Sequence, residues 1–379
     1  MRLVAAAAAG LAVLVLVGCG VQRATPVPNA DSSSSTPSPT ETQSTETEPA
    51  PEPPQLELSS DVTVIASGLN APWSLVRLRN GSTLISERDT AVIKELTPSG
   101  AIREIGTVPD VASGGEGGLL GLAYVRAQNW LFVYLTTESD NRIVRFELEG
   151  EAGNLSLGDG TLILSGLERE WNHNGGRIKI GPDGLLYATV GDAGQPWISQ
   201  DLNSANGKIL RMELDGTVPS DNPFPGLFVY SLGHRNPQGM AWDDSGRLWA
   251  SEFGQNTWDE LNIIVPGGNY GWPVVEGIAG ESGFIDPYFQ WSTDSASPSG
   301  LAYSNGTLFM AALRGQRVWS IHPPTGAVVD WLAGSYGRIR DVVPGPGGTL
   351  WILTNNTDGR GTPRAGDDQI LQVSLTPLG

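Results

Sequence analysis

The sequence predicts an all-β protein folded as a six-bladed β-propeller, and three observations carry this prediction. Glycine (49 residues) and proline (27 residues) are abundant while charged residues make up only 17% of the chain, which is unlike a helical bundle or coiled coil. Beyond the N-terminal leader, no stretch of 12 or more residues shows a convincing 3.6-residue period. A unit of turn and strand occurs six times, about 42 to 62 residues apart, as expected for the blades of a propeller.

The repeated unit begins with a turn of Gly, Asn, Asp or Ser and continues as a short apolar strand. Gly, Asn and Asp supply the positive φ angles that tight hairpins need. A second strand-like segment follows each unit, and a large sandwich would not repeat this arrangement at blade spacing. The six units are Asn80-Gly81 with Thr83–Ser86, Asn129 with Trp130–Tyr134, Asp183-Gly184 with Leu185–Ala188, Ser245-Gly246 with Leu248–Ala250, Asn305-Gly306 with Leu308–Met310, and Gly347-Gly348 with Leu350–Leu353. The segments that follow them are Ala91–Leu96, Arg142–Leu148, Lys208–Leu214, Glu260–Val265, Arg317–His322 and Gln369–Leu375.

The apolar composition of residues 1–18 predicts a signal sequence. The uncharged apolar run Leu3–Gly18 is shorter than the roughly 20 residues that a membrane-spanning helix needs. It ends in Leu16-Val17-Gly18-Cys19, which resembles a bacterial lipobox with cleavage before Cys19 and lipidation of its thiol. The alternative is a plain secretory signal in which this cysteine is incidental. The lipoprotein interpretation places the protein on the extracytoplasmic face of the cell membrane, held by a lipid anchor alone.

Residues 19–55 are rich in Ser, Thr, Pro and Glu, a composition that predicts a disordered tether. The propeller domain is predicted for residues 56–379. The net charge is −18, which excludes nucleic acid or an anionic membrane surface as the main partner. The single cysteine excludes an intramolecular disulfide and a cysteine-based zinc site.

Two segments suggest proton transfer and anion binding. His173 lies among small and polar residues, and Asp192, one hairpin later, is a candidate carboxylate to orient it as a general base. A surface-loop histidine is an equally acceptable interpretation of this fragment alone. Arg235 and Asn236 lie beside a rigid proline turn, where the guanidinium could clamp a carboxylate or pair with a neighbouring acid.

Two further segments suggest ion binding. Residues 251–260 and 267–272 combine acids, Asn and glycine-exposed carbonyls, as Ca²⁺ sites do, although a solvated acidic turn would look the same. Arg338 and Arg340 alternate on one strand and so face the same side, with Arg314 and Arg317 in a second loop-proximal segment. In an acidic domain, these four arginines indicate either an anion site or ion pairing between blades.

Together these segments resemble the glucose/sorbosone dehydrogenase family of quinoproteins, which use pyrroloquinoline quinone (PQQ). The similarity covers nearly all of residues 60–375, and its long runs make chance agreement implausible. The family fold is a six-bladed propeller, in agreement with the repeat count. The matching runs include Gly117-Gly118-Leu119-Leu120-Gly121, Gly233-His234-Arg235-Asn236-Pro237-Gln238-Gly239, Gly267-Gly268-Asn269-Tyr270-Gly271-Trp272-Pro273 and Arg338-Ile339-Arg340-Asp341.

The resemblance implies oxidation of an aldose sugar to a lactone, with an external electron acceptor. His173 would take the proton of the anomeric hydroxyl, and Asp192 would orient it. Hydride would pass to the quinone, whose three carboxylates need cationic partners. The positions that match the family's cofactor-binding and cleft residues are Arg235, Asn236, Arg314, Arg338, Arg340, Tyr288, Trp291 and Thr293.

The resemblance also implies calcium. Backbone carbonyls of Gly254 and Gln255 would hold Ca²⁺ at the quinone, and Glu260 and Tyr270 match a second calcium site of bacterial relatives. The chain departs from the family at Glu116, where many members have Gln, and a carboxylate there would repel a tricarboxylate.

Two other functions are compatible with the sequence. A calcium-dependent lactonase on a six-bladed propeller would hold its metal on side-chain Glu, Asn and Asp, and would not need four converging arginines. A non-enzymatic module that binds sugars or the cell envelope would keep the cleft and lack the cofactor.

Overall fold

The computed structural model describes residues 53–378 and shows a six-bladed β-propeller. The predicted signal sequence, Cys19 and all of the predicted tether except residues 53–55 lie outside the described residues. Within the described part, the helical structure is one 3-10 turn, Pro196–Gln200, and no helix is long and apolar enough to cross a membrane.

Each blade is a four-stranded antiparallel sheet. In five blades the strands follow one another in chain order, and in the sixth the N-terminal strand Leu56–Ala66 joins the last three strands. The strands are, in blade 1, β2 (Pro72–Arg77), β3 (Thr83–Glu87), β4 (Val92–Leu96) and β5 (Ile102–Thr107); in blade 2, β6 (Leu119–Val125), β7 (Trp130–Thr136), β8 (Asn141–Glu149) and β9 (Ser156–Leu167); in blade 3, β10 (Ile178–Ile180), β11 (Leu186–Val190), β12 (Lys208–Met212) and β13 (Val229–Leu232); in blade 4, β14 (Pro237–Trp242), β15 (Leu248–Glu252), β16 (Trp258–Ile264) and β17 (Phe289–Ser292); in blade 5, β18 (Pro298–Ser304), β19 (Thr307–Ala312), β20 (Arg317–His322) and β21 (Ala327–Trp331); and in blade 6, β22 (Ile339–Pro344), β23 (Thr349–Thr354), β24 (Ile370–Pro377) and β1 (Leu56–Ala66).

The predicted fold class is confirmed. All six turn–strand units form the second strand of a blade, and the six segments that follow them form the third strand. The repeat pattern does not predict the first strands, because these line the channel as short runs of mixed polarity such as β14 and the three-residue β10.

Neighbouring residues of a second strand pack into two different hydrophobic cores. In blade 2, Leu131 lies in the core shared with blade 1, and Phe132 lies in the core shared with blade 3. In blade 4, Leu248 and Trp249 divide in the same way between blades 3 and 5. Successive side chains on a strand point to opposite faces. The repeated pairs of leucine and aromatic residue therefore stack the blades into a ring.

The two ends of the propeller domain close this ring. β1 pairs antiparallel with β24, from Leu56 opposite Pro377 to Ala66 opposite Ile370. The buried side chain of Leu56 also joins the core between blades 5 and 6. Blade 6 therefore forms only when both ends of the domain are present.

Charged and polar side chains fill the channel between the first strands. The guanidinium of Arg177, at the start of blade 3, is 2% exposed. Its Nη1 donates to Asp341 Oδ2 at 3.1 Å and to Ser74 Oγ at 3.2 Å. Its Nε donates to the carbonyl of Gln238 at 2.9 Å, and it lies 4.2 Å over the ring of Trp73. This one side chain thus joins blades 1, 3, 4 and 6.

Replacing Arg177 with methionine should lower the free energy of unfolding by about 3–5 kcal/mol, because Asp341 would keep a buried charge without its cationic partner. Urea denaturation followed by tryptophan fluorescence measures the change. Arg317→Met is the matched control, since its ion pair with Asp330 is partly exposed and should contribute at most about 1 kcal/mol. Equal, small losses in the two variants would contradict the central role of Arg177.

Lys179 makes the stability of the fold depend on pH. Its Nζ donates to the carbonyl of Leu301 at 3.0 Å. Burial lowers the pKa of Lys179 from 10.5 to about 8, although the Asp341 carboxylate opposes this shift. Between these two values the unfolded chain binds more protons than the folded one, so the stability contributed at this site rises with pH.

Lys179→Met should remove this rise. The free energy of unfolding of the wild type minus that of the variant should increase by about 1–3 kcal/mol between about pH 7.5 and about pH 10. Urea titrations at several pH values measure it. A difference that stays constant or falls with pH would show that Lys179 keeps its ordinary pKa.

Candidate active site at the channel mouth

The loops that precede the first strands and those that follow the second strands meet at one end of the channel, called here the channel mouth. His173 precedes β10 and Asp192 follows β11, both in blade 3, while Arg338 precedes β22 in blade 6. The tight turns of the repeats join first to second strands, so they lie at the opposite end. The turns that predict the fold and the candidate site residues are therefore separated by the length of the blades.

His173 and Asp192 form a hydrogen-bonded pair. Nδ1 of His173 lies 2.6 Å from Oδ1 of Asp192, a fully buried residue. The Asp192 carboxylate also accepts the indole N–H of Trp272 and the amide N–H of Gly194, each at 2.8 Å. A carboxylate fixed at Nδ1 keeps the proton there and leaves the Nε2 lone pair available. No described residue hydrogen-bonds to His173 Nε2, so this nitrogen can act as a base.

The backbone around His173 is constrained. Its φ of 57° lies in the left-handed region, and a Cβ on Gly191 would lie 2.0 Å from the His173 carbonyl oxygen. Glu116 accepts the backbone N–H of His173 at 2.9 Å and the side-chain amide of Asn236 at 3.2 Å. These contacts hold a conformation that non-glycine residues rarely adopt.

Glu116 is paired with a cation. Its Oε1 accepts a hydrogen bond from Arg360 Nη1 at 3.0 Å. Burial alone would raise the pKa of Glu116, but the charge of Arg360 and the His173 amide outweigh it, so the pKa lies below its ordinary value. The expected repulsion of an anion is therefore offset by Arg360, and the Glu116 carboxylate supports the backbone of His173.

A cavity of about 320 Å³ lies beside Glu116. Five arginines line it, and Glu116 is the one carboxylate among its lining residues. The predicted residues Arg314, Arg338 and Arg340 are brought together here. The full lining is Trp73, Arg88, Glu116, Gln238, Phe253, Ser297, Leu313, Arg314, Arg338, Arg340 and Arg360.

Two of the cavity arginines share one carboxylate. Nη2 of Arg338 lies 3.0 Å from Asp358 Oδ2, and Nη2 of Arg340 lies 3.8 Å from the same oxygen. Arg340 also donates to Gln238 Oε1 at 2.8 Å. Burial lowers the pKa of Arg340, which shows that its charge is costly where it stands. A bound anion would relieve that cost.

Sequence reasoning missed two of the five arginines, Arg88 and Arg360. Arg88 directly follows β3, Arg314 lies shortly after β19, and Arg360 lies in the longer loop after β23, so each follows the second strand of its blade. An alignment of the six repeats on their second strands would have shown that arginines follow this strand in blades 1, 5 and 6.

Arg235 is not part of the cavity lining. It contacts Trp272, whose indole N–H donates to Asp192. Its guanidinium lies 5.6 Å over the ring of Trp272, and its Nη1 donates to the carbonyl of Phe253 at 3.4 Å. Burial lowers the pKa of Arg235, while Asp192 opposes this shift. Its buried Nε has no partner among the described residues, which leaves a donor that a ligand could satisfy.

The four predicted metal ligands fall into two places. Gly254 and Gln255 directly follow Phe253, which lines the cavity. Their carbonyl oxygens accept no hydrogen bond from any described residue, so both are available to a cation.

The other two predicted ligands lie within blade 4 and at its edge. Glu260 is buried and accepts the amide N–H of Gly277 at 2.7 Å. Burial, together with the nearby Glu252 carboxylate, raises the pKa of Glu260 to about 8. The Tyr270 hydroxyl donates to the carbonyl of Ile263 at 2.5 Å, and among the described residues no hydrogen bond joins Tyr270 to Glu260.

Tyr288, Trp291 and Thr293 are not among the residues that line this cavity. Tyr288 packs edge-on against Trp249, and its hydroxyl donates to the carbonyl of Pro323 at 2.9 Å. Trp291, 5% exposed, belongs to the core between blades 4 and 5. These large aromatic rings bury more apolar surface between blades than they would at the channel mouth.

The oriented histidine and the cationic cavity at one end of the channel put this chain in the class of propellers with an enzyme-like site. The model of the Glucose / Sorbosone dehydrogenase family matches residues 69–364. The chain belongs to this family.

Solved structures and curated relatives agree with this assignment. The PQQ-bound aldose sugar dehydrogenase of Streptomyces coelicolor is 49% identical, with a TM-score of 0.81 over 86% of this chain and 100% of that one. Aldose sugar dehydrogenase YliI of Escherichia coli is 30% identical over 79% of this chain and 91% of its own length. Quinoprotein glucose dehydrogenase B of Acinetobacter calcoaceticus is 35% identical over 59% of this chain, and the match spans 54% of that relative.

Proposed function

We propose that the protein oxidises aldose sugars to lactones with PQQ as cofactor and His173 as general base. The observation that carries this proposal is the arginine-lined cavity. Glu116 is part of its lining, and Oε2 of Glu116 accepts the backbone N–H of His173. A base and an anion-binding cavity are thus joined through one residue.

The residues present fit a planar tricarboxylate. Arg88, Arg338 and Arg340 supply cationic donors that line the cavity. Guanidinium groups match carboxylates through paired N–H donors, so the lining is suited to PQQ.

When bound, PQQ supplies the two-electron acceptor for the hydride of the anomeric carbon. His173 Nε2 takes the proton of the anomeric hydroxyl, so the sugar loses a hydride and a proton and becomes a lactone. Asp192 keeps the proton on Nδ1 and stabilises the imidazolium that forms. Trp272 and Gly194 hold Asp192 in place for this role.

Calcium fits the free carbonyls of Gly254 and Gln255, and when bound there it would act as a Lewis acid. Within residues 53–378, no group of three or more His, Cys, Asp or Glu side chains is placed to hold a metal ion. A lactonase with side-chain metal ligands in the channel would have no use for the five arginines that line the cavity, so the dehydrogenase is better supported.

The test is reconstitution of the purified protein with PQQ and Ca²⁺, followed by dye reduction with a panel of aldoses. The expected result is retained cofactor and sugar-dependent reduction. Lactone hydrolysis without PQQ would favour the lactonase, and sugar binding without turnover or retained quinone would favour the non-enzymatic module.

Asp192→Asn should lower kcat by about 10²–10⁴-fold, because His173 would lose the carboxylate that fixes its tautomer. PQQ affinity should stay the same, since the cavity lining does not include Asp192. Asp183→Asn, in a turn of the same blade, is the matched control and should keep wild-type kcat. Steady-state kinetics and PQQ titration measure both effects. Unchanged kcat in Asp192→Asn would place the base elsewhere.

We further propose that lipidation of Cys19 holds the protein at the extracytoplasmic face of the membrane, which the lipobox-like residues before it support. Cells grown with a labelled fatty acid should incorporate the label into the wild type but not into Cys19→Ser. Equal label in both proteins, or none in the wild type, would leave the plain secretory signal as the explanation.

A further inference from the structure

Trp171 lies on the loop that carries His173, yet it takes no part in the site described above. Its side chain is 67% exposed, an unusual position for the largest apolar residue. The backbone of Gly114 and Gly115 supports one side of the indole. A Cβ on Gly115 would lie 2.8 Å from Trp171 Cδ2, and one on Gly114 would lie 3.6 Å from Cζ3.

Main-chain contacts fix the backbone that carries this ring. The amide N–H of Glu116 donates to the Trp171 carbonyl at 2.8 Å, and the Trp171 amide donates to Glu170 Oε2 at 2.9 Å. Since Gly115 has no side chain, the indole can lie against the chain there while most of its surface faces solvent. A preorganised exposed aromatic ring is a binding surface with little entropy to lose.

Trp171 borders a second cavity of about 450 Å³. Its lining also includes Arg88, Asp89, Ser113 and Arg360, so charged and hydroxyl groups surround the ring. Arg88 and Arg360 line both this cavity and the arginine cavity, which makes the two cavities neighbours. The size lies within the range of small-molecule sites.

An exposed indole surrounded by hydrogen-bonding groups suits a sugar ring. One face of a pyranose is covered by C–H bonds and stacks on the electron-rich face of an aromatic ring. Its hydroxyls need donors and acceptors at the edge, which Asp89, Ser113 and Arg360 supply. Asp89 and Arg360 already pair with Arg88 and Glu116, but their side chains stay 36% and 48% exposed, so each can also contact a ligand.

We propose that this second cavity is a glycosyl subsite, in which Trp171 stacks on the sugar unit next to the one being oxidised. The inference rests on the proposed function and assigns the contact with a second sugar unit to this loop. The reducing unit lies beside His173, and the next unit extends over Trp171, two residues earlier in the chain.

Binding of reduced sugars tests the subsite without turnover, because an alditol has no anomeric carbon to oxidise. Isothermal titration of the wild type with maltotriitol, cellotriitol and sorbitol should show tighter binding of at least one of the two trisaccharide alditols than of sorbitol. Trp171→Ala should weaken trisaccharide binding about ten-fold and leave sorbitol binding unchanged. Trp171→Phe should retain most of the affinity.

Trp197→Ala is the matched control, since Trp197 is 70% exposed and lines neither cavity. It should bind all three alditols as the wild type does. The subsite is overturned if neither trisaccharide alditol binds the wild type more tightly than sorbitol does. It is also overturned if Trp171→Ala weakens all sugars equally or none.

Kinetics of the PQQ-loaded protein separate this inference from the proposed function. Trp171→Ala should raise KM for maltotriose or cellotriose about ten-fold and leave KM for glucose and kcat for both unchanged. If the wild type oxidises no aldose but binds a trisaccharide alditol through Trp171, the proposed function fails and the subsite stands. If it oxidises glucose with equal KM values in both proteins for every sugar, the subsite fails and the function stands.

Discussion

A buried guanidinium holds the centre of this propeller together. Arg177 donates to residues of blades 1, 4 and 6 from its place at the start of blade 3. Gln238 extends this contact to the cavity, because its carbonyl accepts from Arg177 while its side-chain oxygen accepts from Arg340. The first strands that build the channel mouth are therefore positioned by the same hydrogen bonds that fill the channel.

The charge of the side chains that line the cavity is opposite in sign to the net charge of the chain. The chain carries a net charge of −18, yet five arginines and one carboxylate line the cavity beside Glu116. Bringing cations together in a partly buried site is costly. Asp358 and Glu116 offset part of this cost through Arg338, Arg340 and Arg360. A carboxylate-rich ligand would neutralise the remaining positive charge, and this neutralisation would contribute to the affinity of the cavity for that ligand.

The propeller separates the residues that specify the fold from those that carry out chemistry. The turns and the leucine–aromatic pairs that stack the blades belong to the hairpins at the far end and to the interfaces between blades. The loops at the channel mouth are free of that task. They can hold a strained His173, a paired Glu116 and an exposed Trp171 without weakening the ring.

The sequence by itself determined the propeller, because turn chemistry and the two-residue period of strands are local properties that repeat six times. It also identified His173, Asp192 and three of the five cavity arginines, since their spacing matches a family pattern. Only the tertiary structure decided that Arg88 and Arg360 join them, that Arg360 neutralises Glu116, and that Tyr288 and Trp291 belong to a core. These contacts join residues far apart in the chain, and their partners depend on how the blades pack, which no local pattern specifies.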